Sequence, residues 1–397
     1  MKNINIENLG QAFLAVSAVL FMYPSFSWGN TFVFTSLAYI FIFSALLTQL
    51  WTQKTIVIDF VLFSILGFIV YSSLVGFNYT GTVLDSLVTA SIIIPLFSRR
   101  YKIGGLFVFA KILSGICFIS IFTYLLRWAG VIGFNGDLVA PDGRTYYQYF
   151  ANVFQTHEML TPLYLGTGFH RFYSILNEPG FIGTVSALIL CAFDFSFKRY
   201  KFLYPLLAAT ILSFSLAAYI TLTLFFVLTR GGKQMIFYVL PVFVILSLIF
   251  GNILEERILN RINISESGGI EDNRTNAVYD KLYDEFLSTS DVVFGKGKGA
   301  HSNIGVVGGV SSWTTIVYNN GIIGLFLYLS ILFSIFYKEK SFSKKSFVFL
   351  IAFLLTIYHR PNVHIIYYLL IFYGGLIFLK NESKNSYHSN DNATAHL

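Results

Sequence analysis

The stretch KRYKFLYPLLAATILSFSLAAYITLTLFFVLTRGGK, residues 198–233, decides how the rest of the chain is threaded. Lys198, Arg199 and Lys201 precede its apolar part, 203–229, and Arg230 and Lys233 follow it. Short Lys/Arg clusters beside apolar runs mark the cytoplasmic side of a membrane segment, so both ends of this one belong on the same side. A single helix cannot begin and end on one side. The expectation is two short helices that meet near Ser213-Phe214-Ser215 and reach only partway across. Backbone broken at membrane depth survives only where protein or water satisfies its polar groups, which puts the turn inside a bundle. The alternative is one long tilted helix, which would carry 254–311 to the cytoplasmic side.

Outward from this stretch, apolar runs of about 20 residues, the length that crosses a bilayer, recur along the whole chain. They fall at 8–28, 31–51, 55–76, 79–97, 104–130 and 171–194 before it, and at 235–253, 312–336, 346–360 and 363–380 after it. Ten runs and the two short helices make twelve, with both termini in the cytoplasm. Lys54, Arg99, Arg100, Lys102, Lys338, Lys340, Lys344 and Lys345 then all lie inside, while the outer connections 29–30 and 77–78 carry no Lys or Arg. The expected fold class is all-α: one polytopic membrane domain over 1–380, with large outer loops at 131–170 and 254–311. The tail 381–397, rich in Asn, Ser, His and Asp, is expected to be cytoplasmic and disordered.

Composition agrees. Of 397 residues, 55% are hydrophobic and 12% charged, and the mean hydropathy is +0.66. A soluble globular domain carries about a quarter charged residues. The net charge of +7 is not a nucleic-acid footprint, because Lys and Arg sit in short clusters between apolar runs. With 43 Phe and 25 Tyr, no single aromatic is informative by its presence. Cys117 and Cys191 both lie within apolar runs, and no disulfide is expected. The apolar stretch Leu9 to Phe26 is too long for a cleavable signal peptide and lacks a small-residue cleavage site.

The polar residues gather in the outer segments. The first holds Asp137, Asp142, Arg144, His157, Glu158 and His170, and leads into Arg171-Phe-Tyr-Ser-Ile-Leu-Asn177-Glu178-Pro179-Gly180. Glu178 is read as lying about two turns into an apolar helix, beside a Pro–Gly break. An ionisable group at membrane depth costs about 2–3 kcal/mol or more and is a functional candidate for that reason. The structural alternative is that Glu178 caps the broken helix or pairs with Arg171. The second segment carries Glu255, Glu256, Arg257, Arg261, Glu271, Asp272, Arg274, Lys281, Asp284 and Glu285, a pattern that suits a solvated amphipathic face. It ends in Gly295-Lys-Gly297-Lys-Gly299-Ala-His301-Ser-Asn, whose backbone N–H groups are able to face an anion. The outer turn His359-Arg360-Pro361-Asn-Val-His364 suits either a site or an interfacial anchor. Lys111, Asp85 and Arg127 lie near helix ends, where long side chains snorkel. No metal or cofactor is expected: there is no His-x-x-x-His, no Cys pair at ligand spacing and no Asp-x-Asp in an outer loop, nor a Gly-x-Ser-x-Gly elbow.

Four features together resemble the O-antigen polymerase and ligase superfamily, the Wzy-like and WaaL-like proteins. They are the Arg171…Asn177-Glu178-Pro179-Gly180 segment after a large outer loop, the short-helix pair turning at Ser213-Phe214-Ser215, the second outer loop ending in Gly295–Gly299, and the helix entered through Val317-Tyr-Asn-Asn-Gly321-Ile-Ile-Gly324. They span about 155–330. The resemblance implies a multi-pass protein of the bacterial cytoplasmic membrane, with its site facing the periplasm or cell exterior. It implies metal-independent glycosyl transfer on glycans carried by undecaprenyl pyrophosphate, with membrane lipid around the site and a chain-length regulator as a partner left open. On this reading Arg171 and Arg144, with Arg274, hold the pyrophosphate, since guanidinium forks grip phosphate bidentately. Glu178 or His170 serves as or orients the base, and His301 is a further catalytic candidate. Asn177 and Arg360 complete the candidate substrate contacts.

One departure separates the branches. The ligase pattern has a His and a small polar residue, then nine residues, then the Gly of a Gly-x-x-Gly turn. Counting back from Gly321 puts Val310 and Ser311 there. The Arg that ligases often carry beside the Ser turn is replaced by Leu216. Both favour a polymerase that joins lipid-linked repeats into O-antigen, capsule or exopolysaccharide. A ligase is the second reading. A lipid-linked sugar flippase is the third, although it usually shows two related halves and no internal repeat is visible here.

Overall fold

A computed structural model describes residues 5–75, 90–140, 144–155, 160–163, 167–231, 277–297, 299–301, 312–361 and 365–394, with backbone alone at 160–163, 167–169, 277 and 383–394. The protein is mostly helical, and among the described residues three helical segments are long and apolar enough to cross a membrane: Ser25–Gln53, Arg99–Trp128 and Thr314–Glu339. The expected runs at 235–253 and most of 79–97 lie outside the described residues.

Helix α1 (Ile6–Leu20) starts where the Asn5 side chain accepts the Glu7 N–H, and it ends before Tyr23-Pro24, where Tyr23 takes a positive φ of 51°. The run read as 8–28 is therefore a shorter helix followed by a 3-10 turn, Ser25–Asn30. Pro24 supplies no N–H to continue the ladder. Helix α2 (Thr31–Gln53) packs on α1 through Ala38, Ile42 and Ala45. Its other face turns outward, with Phe32 84% and Trp51 77% exposed. Helix α3 (Phe60–Val75) is capped by Asp59, and α4 (Arg99–Trp128) by Ser98.

The chain then departs from the all-α expectation. Gly136–Val139 (β1), Thr145–Tyr149 (β2) and Asn152–Phe154 (β3) form an antiparallel sheet, and Leu160–Leu163 (β4) pairs with Thr167–Phe169 (β5). Tyr, Thr, Val and Phe favour a pleated, half-buried surface, and Thr145-Tyr-Tyr-Gln-Tyr is such a run. The sheet is bolted to the end of α4. The Asn152 amide donates to the Ser120 carbonyl and Thr123 hydroxyl (2.9 and 2.7 Å), and Ser120 Oγ donates to Ala151 O (2.8 Å).

Helix α5 (Pro179–Ala192) is the centre of the bundle, buried on every side. A helix apolar all round belongs there. It begins at Pro179, so the expected span 171–194 is shorter at its front, and 170–178 is irregular backbone. The next two helices, α6 (Leu203–Leu212) and α7 (Leu216–Arg230), form the expected hairpin. Both feet sit at the C-terminal end of α5: the Phe193 and Phe202 rings lie 5.6 Å apart, and Arg230 Nη2 is 3.0 Å from Asp194 Oδ2. The turn sits at the other end of α5, against Gly183, where a Cβ would collide with Ser213 Oγ. At 1.5 Å per residue, α6 spans about 15 Å, half a bilayer core.

The remaining α-helices among the described residues are α8 (Ala277–Leu287), α9 (Thr314–Glu339), α10 (Lys344–His359) and α11 (Ile366–Thr394). The backbone of α11 stays helical to Thr394, through the stretch that composition reads as disordered.

The two ends of the bundle differ. At one, ion pairs tie helix terminus to helix terminus: Glu7–Arg100 (2.6 Å), Glu339–Arg99 (2.8 Å), Asp59–Lys338, Asp194–Lys345 (2.6 Å) and Glu382–Arg199. Lys54, Lys198, Lys201, Lys340 and Lys344 lie at this basic end, in the segments that hold those pairs. The opposite end carries the sheet, the hairpin turn and the start of α5.

Candidate functional site

Glu178 stands at the strand end, at the N-cap of α5. Proline disfavours helical backbone in the residue before it and is itself at home in the first helical position. Glu178 accordingly takes φ −144° and ψ 135°, with Pro179 opening the helix. This corrects the reading of Glu178 as two turns inside an apolar helix: it precedes the helix, and its side chain is 39% exposed. The desolvation cost argued for membrane depth does not apply to it.

Two arginines from distant parts of the chain meet its carboxylate. Arg360, at the C-cap of α10, donates from Nη2 to Oε2 at 2.7 Å. Arg144, just before β2, brings Nη2 to 3.7 Å from Oε1, and is itself 43% exposed. Burial opposes the Arg360 charge and is the largest single effect, but the Glu178 carboxylate, its hydrogen bond and the Tyr368 and Tyr367 hydroxyls together outweigh it, and the guanidinium is shifted upward. Its Cζ lies 5.3 Å from the centre of the Phe181 ring, a cation–π contact above the first turn of α5. Gly180 leaves room for this approach: a Cβ there would lie 3.2 Å from Arg360 Nη2, close enough that the guanidinium would have to shift slightly, and 3.7 Å from Ser215 Oγ.

Ser215 caps α7 by accepting the Ala218 N–H (3.4 Å). The N-termini of α5 and α7 thus lie beside each other and beside Arg360. Each helix N-terminus carries roughly half a positive charge. The place next to Glu178 is therefore cationic from four directions: two guanidiniums and two helix ends. It suits an anion brought next to a carboxylate.

The other expected residues are placed differently. Arg171 is buried at 6% exposure and donates from Nε to Ser213 O (2.9 Å) and from Nη2 to Phe214 O (3.1 Å). It caps the C-terminal carbonyls of α6, the favoured position for a cation. His170 is stacked on Phe154 with centroids 3.8 Å apart and planes 2° from parallel, and among the described residues its Nδ1 has no hydrogen-bond partner. Burial, helped by the Arg127 charge, pushes this imidazole down to about 4. Asn177 accepts the Tyr146 hydroxyl on its carbonyl (2.8 Å), which ties the sheet to the residue before Glu178. Arg274, with Asp142, His157, Glu158 and His364, lies outside the described residues.

His301 meets Asn319, whose Oδ1 accepts the His301 N–H at 3.2 Å and lies 3.1 Å from Nδ1. Burial lowers this imidazole, against the raising effect of the Asn319 hydrogen bond. Helix α9 breaks at Gly321 (φ 65°, ψ −175°), which frees carbonyls just upstream. Lys296 N–H donates to Tyr318 O (2.8 Å) and Gly297 N–H to Asn319 O (2.9 Å). These two loop donors are taken by the broken helix. Gly295 and Gly321 hold positive φ, and a Cβ on either would collide with the other segment's backbone.

Sequence reasoning missed Tyr146 and the sheet that carries it; the Tyr-rich run 145–149 was the one local signal. The Arg360–Glu178 pair joins residues 182 apart and left no signal in the sequence. Among the described residues no group of three or more His, Cys, Asp and Glu converges as a metal site would. No family model, no curated protein and no solved structure matches the chain.

Proposed function

We propose that this chain is an integral membrane glycosyltransferase that joins oligosaccharide repeats carried on undecaprenyl pyrophosphate. The observation that carries the reading is the Glu178 carboxylate flanked by Arg360 and Arg144 beside two helix N-termini. Glycosyl transfer from such a carrier needs two things at once. An anion must leave, and a hydroxyl must lose a proton. The acceptor hydroxyl oxygen attacks the anomeric carbon, and the bond from that carbon to the pyrophosphate oxygen breaks. Undecaprenyl pyrophosphate departs with the electron pair. Its developing charge meets Arg144, Arg360 and the helix ends, and preorganised donors of this kind contribute about 3–4 kcal/mol each in enzymes. The hydroxyl proton passes to Glu178 and on to solvent.

The bundle supports a membrane setting. Its long apolar helices and the outward Phe32 and Trp51 of α2 suit lipid, and its basic end suits the cytoplasmic face. The strand end and its site then lie on the periplasmic or external side, where the carrier-linked repeats are used. A twelve-helix count, with the hairpin as two, belongs to this reading. Arg171 enters it as a residue that sets the hairpin turn, beside the anion site. O-antigen, capsule and exopolysaccharide are the products it allows, and a chain-length regulator is a compatible partner.

The test is the size profile of surface and lipid-linked glycan after the gene is deleted. Surface glycan capped with single repeats, with long chains lost, is the expected result. Long chains accumulating on the lipid carrier would mean a ligase. Single repeats trapped on the cytoplasmic face would mean a flippase, and either outcome would overturn the proposal.

A further inference from the structure

A groove of about 650 Å³ opens at the basic end of the bundle, between α1, α4, the 199–200 connection and α11. It is remote from Glu178, which sits at the strand end. Its floor is apolar: Ile103, Phe107, Val108 and Phe378. Its rim is polar, with Asn8, Gln11 and Asn381. Two cations stand at it, each laid on an aromatic ring of its wall. Lys111 Nζ lies 4.5 Å from the Phe107 ring centre, and the Arg199 guanidinium 5.2 Å from that of Tyr200. Lys198 and Lys201 flank Arg199 and are exposed. Glu382 pairs with Arg199 and leaves the surroundings cationic in sum.

An apolar floor beneath a polar rim fits neither a sugar nor a free anion. It fits an amphiphile with a hydrocarbon chain and a negatively charged head. Lys111 is instructive here. It is exposed one helical turn beyond Phe107, and its ammonium reaches back over that ring toward the rim, as a lysine does when its stem lies in hydrocarbon and its charge seeks the headgroup layer. We propose that this groove binds one anionic phospholipid of the inner leaflet. Its acyl chain lies on Phe107, Val108 and Phe378, and its phosphate sits between Arg199 and Lys111. The inference rests on the membrane setting and not on the glycosyl-transfer chemistry. A lipid seated here bridges α1, α4 and α11.

The test uses the full chain purified in detergent and measures its Tm as phosphatidylglycerol or phosphatidylcholine is added. A ligand that binds only the folded state raises Tm with its concentration. Phosphatidylglycerol is expected to raise Tm by a few degrees and phosphatidylcholine much less. Two variants remove the site by different routes: Lys111→Gln with Arg199→Gln takes away the charges, and Val108→Trp fills the floor at a half-buried position. Both are expected to lose the phosphatidylglycerol response, while Lys54→Gln, at the basic end but outside the groove, retains it. An equal response to both lipids would overturn the proposal, as would a full response in either groove variant. A chain that stays in aqueous solution without detergent would instead contradict the membrane setting itself.

Discussion

At the residue scale the site turns on Glu178 and on what faces it. A carboxylate between two guanidiniums is held in one orientation, the one from which the proposed reading has it take the acceptor's proton, and Gly180 leaves room for Arg360 beside it. His170 has another role. Its ring is stacked on Phe154 and kept neutral, which makes it a packing element with a pH dependence of its own. The folded pKa, about 4, lies below the ordinary 6.5, so the unfolded chain takes up a proton that the folded one refuses. The stability tied to His170 is whole above pH 6.5 and drains as pH falls toward 4, by about 3 kcal/mol at most. Tm measured from pH 7.5 to 4.5 should therefore fall less steeply in His170→Phe than in the wild type. Equal slopes would show that His170 is not buried as a neutral ring.

At the scale of elements the hairpin of α6 and α7 is the device that shapes the site. Its turn places Ser215 and the α7 N-terminus beside Gly180, and Arg171 holds that turn by donating to two carbonyls. Leaving buried carbonyls without donors costs about 1–3 kcal/mol each. Arg171→Met is expected to lower Tm by several degrees and to lose polymer formation with it, and Arg171→Lys to recover part of both. Lost activity at an unchanged Tm would mean that Arg171 acts on substrate instead. Much of this element was legible. The basic residues on both flanks of 203–229 required the chain to turn back, and Ser213-Phe214-Ser215 was the visible break. The start of α5 was misread as 171 although Pro179 disfavours helical backbone in the residue before it, because hydropathy counts the residues before a proline as though they were helix. The sheet was not read because a short Tyr-rich run inside a long loop carries little period-2 signal. The Arg360–Glu178 contact was beyond reach, because a pairing between distant segments has no local trace.

At the scale of the whole molecule, charge is sorted by end. Ion pairs bind helix termini at the basic end, while the strand end holds the carboxylate, its arginines and the sheet. On the proposed reading, this sorting puts the site on one side of a membrane. Single cysteines test this directly, since the native Cys117 and Cys191 are both buried. Phe150→Cys, exposed at the tip of the β2–β3 hairpin, should react with an impermeant thiol reagent in intact cells, and Lys198→Cys only after permeabilisation. The reverse pattern would invert the topology.

The central claim is that the Glu178 cluster transfers lipid-linked glycan onto lipid-linked glycan. The most direct measurement gives the purified protein, in lipid vesicles with a chelator and no nucleotide, its undecaprenyl-pyrophosphate-linked repeat unit as sole substrate. The account predicts a ladder of products with release of undecaprenyl pyrophosphate, reduced about 10²- to 10⁴-fold in Glu178→Gln and strongly in Arg360→Met at unchanged expression. Unaltered single repeats with the wild-type protein, or a full ladder from both variants, would contradict it.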